Sequence, residues 1–221
     1  MSQRFEIAPI ATITTPFNQK FGIPRQANLS SAIGHVKFVD EIDSNAAITN
    51  IEQHSHLWLI FLFDQNLSQG WKPLVRPPRL GGNERTGVFS TRSSFRPNGL
   101  GMSVVKLESV EIQNDRPYLR VSGVDMLNNT PIVDIKPYIP YADSVNGAHS
   151  DLAPEQPDTA LDVCLSKSAL KQVKMLNIEA STVTLLTEML QQDPRPAYKK
   201  RKGDEKLYHI SIYNWDVTWQ I

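Results

Sequence analysis

The chain has 221 residues, and its 23 Lys and Arg balance 23 Asp and Glu, so it carries no formal net charge. This length buries a core and excludes both a peptide and a large multidomain assembly. Neutrality removes any whole-molecule case for nucleic acid or acidic membrane, and such a partner would need a local patch. The longest strictly apolar run, Leu57 to Phe63, has seven residues, against the roughly 20 that cross a bilayer. The first residues lack the basic-then-apolar pattern of a leader, and the lone Cys164 can make no internal disulfide, so a cytoplasmic protein is expected.

Residues 1 to about 145 read as short β-rich runs separated by Pro, Gly and Asn, which predicts a mainly β domain, closed or sandwich-like. Candidate strands are 34–40, with Val36 and Phe38 on one face, then 57–63, 102–112, 118–124 and 131–136. The uniformly apolar 57–63 is expected to be buried on both sides. In the last strand a two-residue period puts Asp134 and Lys136 on one face and Val133 and Ile135 on the other, so an acid and a base could line a site together. From Tyr141 to Asp158 the composition turns to Ala, Asp, Asn, Gly, Ser and Pro without hydrophobic period, which predicts a linker. The expected organisation is a first domain over 1–145, a linker over 146–160 and a small α/β domain over 161–221. Helical spacing covers 165–176 and 181–192, with Ser181 as N-cap of the second helix and Asp193-Pro194-Arg195-Pro196 stopping it. The aromatic, alternating segment 207–219 predicts one or two strands ending in Trp215 and Trp219.

Two basic clusters stand out. Between Gly70 and Leu100, Lys72, Arg76, Arg79, Arg85, Arg92 and Arg96 face one acid, Glu84, in a stretch too rich in Pro and Gly for a helix. A long, stiff, one-signed loop of guanidinium forks suits phosphate or carboxylate. A second cluster, Arg195, Lys199, Lys200, Arg201, Lys202 and Lys206 around Tyr198, carries only Asp204 and Glu205 in opposition. Basic residues around an aromatic fit phosphate contact with base stacking, and equally fit a lysine-rich hairpin tip. No dinucleotide fingerprint or P-loop is present, and His54 and His56 lack the further ligands a zinc site needs. Cys164 lacks a positioned base.

The segments Ile23-Pro24-Arg25-Gln26, His56-Leu57-Trp58, Arg76-Pro77-Pro78-Arg79-Leu80-Gly81-Gly82, Gly87 to Asn98 (GVFSTRSSFRPN), Asp134 to Tyr141 (DIKPYIPY) and Asp193 to Tyr198 (DPRPAY) together resemble the TsaA-like family. Its characterised members are TrmO-type tRNA (adenine(37)-N6)-methyltransferases, and the likeness runs through nearly the whole chain in order. The resemblance implies a single-sheet β-barrel followed by a small α/β domain. It also implies a homodimer that takes S-adenosylmethionine, needs no metal, and methylates N6 of threonylcarbamoyladenosine at position 37 of threonine tRNA. Carried over residue by residue, it assigns cofactor contact to Pro24, Arg25, Gln26, Asp64, Gln65, Arg92, Leu100 and the turn Val124, Asp125, Met126 and Leu127.

Methyl transfer from a sulfonium is an in-line displacement, so catalysis rests on alignment and on removal of the N6 proton. Asp134 is expected to accept that proton or to fix Lys136. Arg92, Arg96 and Asn98 are expected to orient the cofactor carboxylate or the threonyl carboxylate. Tyr138 and Tyr141 are candidate stacking surfaces. Arg76 and Arg79, with Arg195, Tyr198, Lys199, Lys200, Arg201 and Lys202, are the expected tRNA contacts. A non-catalytic tRNA-binding module and an S-adenosylmethionine-binding sensor are the competing readings.

Overall fold

The computed structural model describes residues 5–77, 84–156, 161–195, 199 and 206–221. Six antiparallel strands form the first half: β1 (Ala11–Thr14), β2 (Ile33–Phe38), β3 (His56–Leu62), β6 (Leu100–Gln113), β7 (Arg116–Ser122) and β8 (Thr130–Pro137). Their order β1-β2-β7-β6-β3-β8 returns to β1, so the sheet closes on itself as a barrel. Alternation supplies the interior: Ala11, Ile13, Val36, Leu57, Leu59, Val105, Leu119, Val121 and Ile132 are fully buried, as a period of two requires when one sheet face lines a core.

One long strand makes closure possible. The first half of β6 pairs with β3 (His56↔Lys106 to Leu62↔Leu100) and its second half with β7. The β6–β7 register shifts between Leu107 and Ser109, a bulge that adds the twist a small barrel needs. The β6–β7 turn is tight because Asn114 and Asp115 both take positive φ, 53° and 60°, the geometry that matches strand twist.

Three sequence expectations change here. β3 is not buried on both sides: Leu57, Leu59 and Phe61 point inward while Trp58, Ile60 and Leu62 are half-buried outside, Trp58 lying against Tyr138 with ring centroids 5.9 Å apart. In β8, Val133 and Ile135 do not share a face in the simple way expected. The register with β3 jumps from Phe61↔Ile132 to Ile60↔Asp134, so Val133 is the extra residue of a bulge and Ile132 and Ile135 keep the inward register positions. Strand β1, a four-residue Ala-Thr-Ile-Thr segment, was not among the expected strands.

Two further two-residue strands, β4 (Leu74–Val75) and β5 (Thr86–Gly87), pair with each other, and short helices α1 (Ser44–Ala47), α2 (Asp64–Leu67) and α3 (Pro140–Asp143) fill turns. Residues 144–156 carry no helix or strand and are almost wholly exposed. The C-terminal part comprises α4 (Lys167–Met175), α5 (Ala180–Gln191) and a hairpin of β9 (Tyr208–Ile212) and β10 (Trp215–Trp219). Ser166 caps α4 by accepting from Ala169 N at 3.2 Å. Ser181 does not cap α5: Glu179 holds that position, and the Ser181 hydroxyl donates to its carboxylate at 3.1 Å.

Both parts share one buried apolar cluster, in which Leu185, Met189, Ile210 and Ile212 join Phe17 and the barrel interior. Polar contacts reinforce the seam. Tyr213 N donates to Pro16 O at 2.8 Å, Ser31 N and Oγ donate to Glu188 Oε2 at 2.6 and 2.8 Å, and Gln192 Nε2 donates to Leu29 O at 2.8 Å. The segment 16–31 is therefore held between the barrel and the C-terminal part. No helix among the described residues is long and apolar enough to cross a membrane.

Candidate functional site

At the barrel wall, the loop after Pro24 meets the turn that leaves β7. Pro24 is buried, Gln26 half-buried and Arg25 exposed. Asn28, at φ 63°, donates its backbone N–H to Gly123 O at 2.9 Å and its side-chain amide to Val104 O at 3.0 Å, so one residue in left-handed conformation fastens this loop to β6 and to the turn. Gly123 must be glycine: φ is 77° and a Cβ would stand 2.2 Å from Asn28 Oδ1. Thr15 Oγ1 donates to Met126 O at 2.9 Å, and Thr130 Oγ1 donates to Leu127 O at 2.7 Å, locking the 124–127 turn from its other side.

Asp125 is the charged centre of this arrangement. Ser103 Oγ, on the inward face of β6, donates to Asp125 Oδ1 at 2.7 Å. Burial pushes the Asp125 carboxyl above its ordinary range, while the Ser103 hydroxyl, the backbone N–H groups of Asp125 and Ala27 and the Arg92 charge pull the other way. Arg92 donates to Gln26 Oε1. Of the residues expected to contact a cofactor, Gln26, Arg92 and Asp125 thus come together in space, with Pro24, Arg25, Val124, Met126 and Leu127 beside them in the chain. Leu100 opens β6 opposite Leu62, and Asp64 and Gln65 form the exposed first turn of α2 next to it. The set fits S-adenosylmethionine: a shielded carboxylate for ribose hydroxyls or an ammonium, a guanidinium for the methionine carboxylate, and buried Val124 and Met126 beside them.

The described parts of the basic loop are tied down at several points. β4 and β5 pin its stem, and Lys72 N donates to Phe95 O and Val88 N to Pro73 O. Thr91 Oγ1 donates to Val88 O and accepts from Ser93 N, and Ser93 Oγ accepts from Phe95 N, a relay of hydroxyl turns that fixes residues 88–95. Arg96 Nη1 donates to Thr91 O at 2.6 Å and to Val88 O at 3.4 Å. Asn66, buried in α2, accepts from Lys20 Nζ and donates to Ser94 Oγ, tying helix, loop and chain start together. Arg76 and Asn98 are exposed on this surface.

Asp134 and Lys136 do pair, at 3.4 Å, with side chains 48% and 64% exposed. Asp134 Oδ1 also accepts from Ile135 N. Tyr138 stands next to the pair, its ring against Trp58 and edge-on to His56 at 6.4 Å. This group sits on the outward face of β8, opposite Ile60 and Trp58, whereas Ser103, which donates to Asp125 in the turn after β7, holds an inward register position of β6. Tyr141 is 92% exposed in α3.

One expected tRNA contact lies inside the protein. Arg195 is 3% exposed and forms a bidentate pair with Asp193, Nε to Oδ1 at 2.8 Å and Nη2 to Oδ2 at 2.9 Å, so it is a core ion pair behind α5 rather than a surface charge. Lys199 is half-buried, and Arg79, Tyr198, Lys200, Arg201 and Lys202 lie outside the described residues. Among the described residues no group of His, Cys, Asp or Glu could hold a metal ion. Sequence reasoning did not single out Ser103, Asn28 or Asn66; only for Ser103, a polar residue at an inward position of an alternating strand, did the pattern hold a signal.

A shielded acid, an arginine and a glycine turn on a small antiparallel barrel beside a stiff basic loop define a ligand-binding barrel. The comparisons give the family. The chain matches the model of the tRNA-methyltransferase O N-terminal domain over residues 12–144 and that of the TrmO C-terminal domain over 158–221, and it belongs to the TrmO family. It is 40% identical over 98% of its length, and 93% of the relative's, to the tRNA (adenine(37)-N6)-methyltransferase of Escherichia coli K12. It is 35% identical, over 63% of its length and 94% of the relative's, to an S-adenosyl-L-methionine-binding protein of Archaeoglobus fulgidus. The crystal structure of TrmO from Pseudomonas aeruginosa superposes with a TM-score of 0.80 at 35% identity, covering 99% of this chain and 92% of that one.

Proposed function

We propose that this chain methylates N6 of N6-threonylcarbamoyladenosine at position 37 of threonine tRNA, giving m6t6A, and that it works as a cytoplasmic homodimer. The observation that carries the reading is the convergence of Gln26, Arg92, Ser103 and Asp125 at one place on the barrel, in a chain whose relative over nearly its full length is a tRNA (adenine(37)-N6)-methyltransferase.

S-Adenosylmethionine, bound there, supplies an electrophilic methyl group on a sulfonium. Arg92 holds the cofactor carboxylate, and Asp125 with the 24–27 loop holds its polar groups. In the modified nucleoside N6 belongs to a urea, and its lone pair is delocalised until the proton leaves. Asp134, paired with Lys136, takes that proton, a contribution of about 10²–10⁴-fold for a positioned base. The basic 70–100 loop, with Asn98, orients the threonyl carboxylate, and Arg76 and Arg96 meet the RNA backbone.

Because the Asp134–Lys136 pair lies on the outward face of β8 while Ser103, which holds Asp125, faces inward on β6, this reading has one protomer's pair serve its partner's cofactor. The test is methyl incorporation from labelled S-adenosylmethionine into threonine tRNA with and without the threonylcarbamoyl group. Label in the modified tRNA alone, falling at least a hundredfold in Asp134→Asn, is the expected result. Equal labelling of both tRNAs overturns the substrate, and full turnover in Asp134→Asn overturns the base.

A further inference from the structure

Beside the cofactor group, α2 and the basic loop enclose a groove lined by Asn66, Leu67, Gly70, Trp71, Ser94 and Arg96, with Pro97 and Gly99 at its end. Its two walls are in van der Waals contact at one end: a Cβ on Gly99 would stand 2.4 Å from Leu67 Cδ2. Asn66 and Ser94 bridge them. The groove is thus a fixed slot between two tied elements.

The loop that forms one wall of the groove carries Phe89, Lys72 and Phe95 besides the lining residues, and is unusual for a solvated segment. Trp71 leaves half its surface exposed (50%) and Phe89 three quarters (74%), although burial of aromatic surface is strongly favourable. The Arg96 guanidinium cannot swing, because Nη1 is held by two carbonyls, and the Phe89 ring lies 5.9 Å from it. Lys72 sits 4.1 Å over the Phe95 ring in the same loop. Exposed rings, a planar guanidinium clamped in place and a six-to-one excess of basic residues over 70–100 match the requirements of an unpaired nucleotide: a flat π-face for the base and fixed positive charge for its phosphate. A phosphate alone would leave the rings without purpose, and an apolar peptide would leave the cations without partners.

We propose that this groove receives one unpaired nucleotide next to the target adenosine, its base stacked on Trp71 and its phosphate held by Arg96 and Lys72, with Phe89 as a second stacking face. The proposal rests on the tRNA reading above and adds a subsite to it. The slot holds the flanking base while the target base is turned toward the cofactor, which lowers the cost of unstacking the loop. Recognition by stacking tolerates different bases, so this subsite sets affinity and register rather than sequence choice.

The experiment uses the full-length protein, S-adenosylmethionine and a fluorescent threonylcarbamoylated anticodon stem-loop, with intact RNA compared with RNAs abasic at each nucleotide flanking position 37. Trp71→Ala is expected to weaken stem-loop binding and raise the RNA KM by about five- to a hundredfold, with kcat and S-adenosylmethionine affinity unchanged and Trp71→Phe restoring most of the loss. One abasic position is expected to weaken the wild type to the same extent and to leave Trp71→Ala no further loss. Melting temperature and cofactor affinity confirm that each variant folds. Wild-type affinity in Trp71→Ala, or equal further loss at every abasic position, overturns the groove while wild-type methylation still upholds the main reading. Absence of both methylation and stem-loop binding in the wild type overturns the two together.

Discussion

Asp125 shows how a ligand site costs stability at a single residue. Burial raises its carboxyl above the ordinary 3.8, so the folded state holds the proton more tightly than the unfolded chain does. Its contribution is favourable at low pH and is lost as pH rises through the folded value. Asp125→Asn is therefore expected to melt higher than wild type at pH 7, with the difference closing below pH 4, while cofactor affinity falls. Thermal melts across that range check it, and a lower melting temperature at pH 7 would show that the Ser103 and backbone hydrogen bonds outweigh burial. Arg195 is the opposite case. Removing one partner of a buried pair strands the other charge, so Arg195→Ala is expected to cost about 3–5 kcal/mol in urea unfolding; reduced RNA affinity at unchanged stability would return Arg195 to the surface role. The structure brings together Gln26, Arg92 and Asp125, three residues that the family resemblance assigned to the cofactor. The Asp193–Arg195 pair was not legible in the sequence, because composition shows that an arginine stands in a basic run but not which way the chain turns, and Asp193 takes φ 46° at the end of α5.

At the scale of elements, the period of two placed five of the six barrel strands to within about two residues, since one face of each must bury. β1 escaped because four residues hold only two periods. The outward apolar row Trp58, Ile60 and Leu62 hid the alternation of β3, and the bulge at Val133 is invisible in a run of β-branched residues. Packing between elements was illegible. Gly22, at φ 89°, leaves room for Ile210, whose Cδ1 would lie 2.2 Å from a Cβ there. Gly22→Ala is thus expected to loosen the seat of β9 against segment 16–31, raising amide exchange across Tyr208–Ile212 and, by slackening the 24–28 loop, weakening cofactor binding a few-fold. Unchanged exchange in β9 would show that Ile210 repacks at no cost.

For the whole molecule, the proposed sharing of a site between protomers has a direct test. If one protomer's Asp134 serves its partner's Arg92, an Arg92→Ala chain and an Asp134→Asn chain, each inactive, are expected to recover about a quarter of wild-type activity when refolded together in equal amounts, since half the dimers are mixed and each carries one complete site. No recovery would put both residues in one protomer's site. The joining of the two halves through Phe17, Met189 and Ile210 could not be read from the sequence, where 141–158 signals only a change of composition.

The closed ring also sets a timetable. Ala11 is registered against Ile132, so the first strand to leave the ribosome has no second neighbour until the last barrel strand has been made. Until then the sheet is an open ribbon with two bare edges, and closure must bring together chain segments at maximal separation within the domain, a slow kind of step. The nascent chain is exposed to edge pairing with other chains throughout that interval. Once the seam between β1 and β8 seals, the barrel has no free edge to offer.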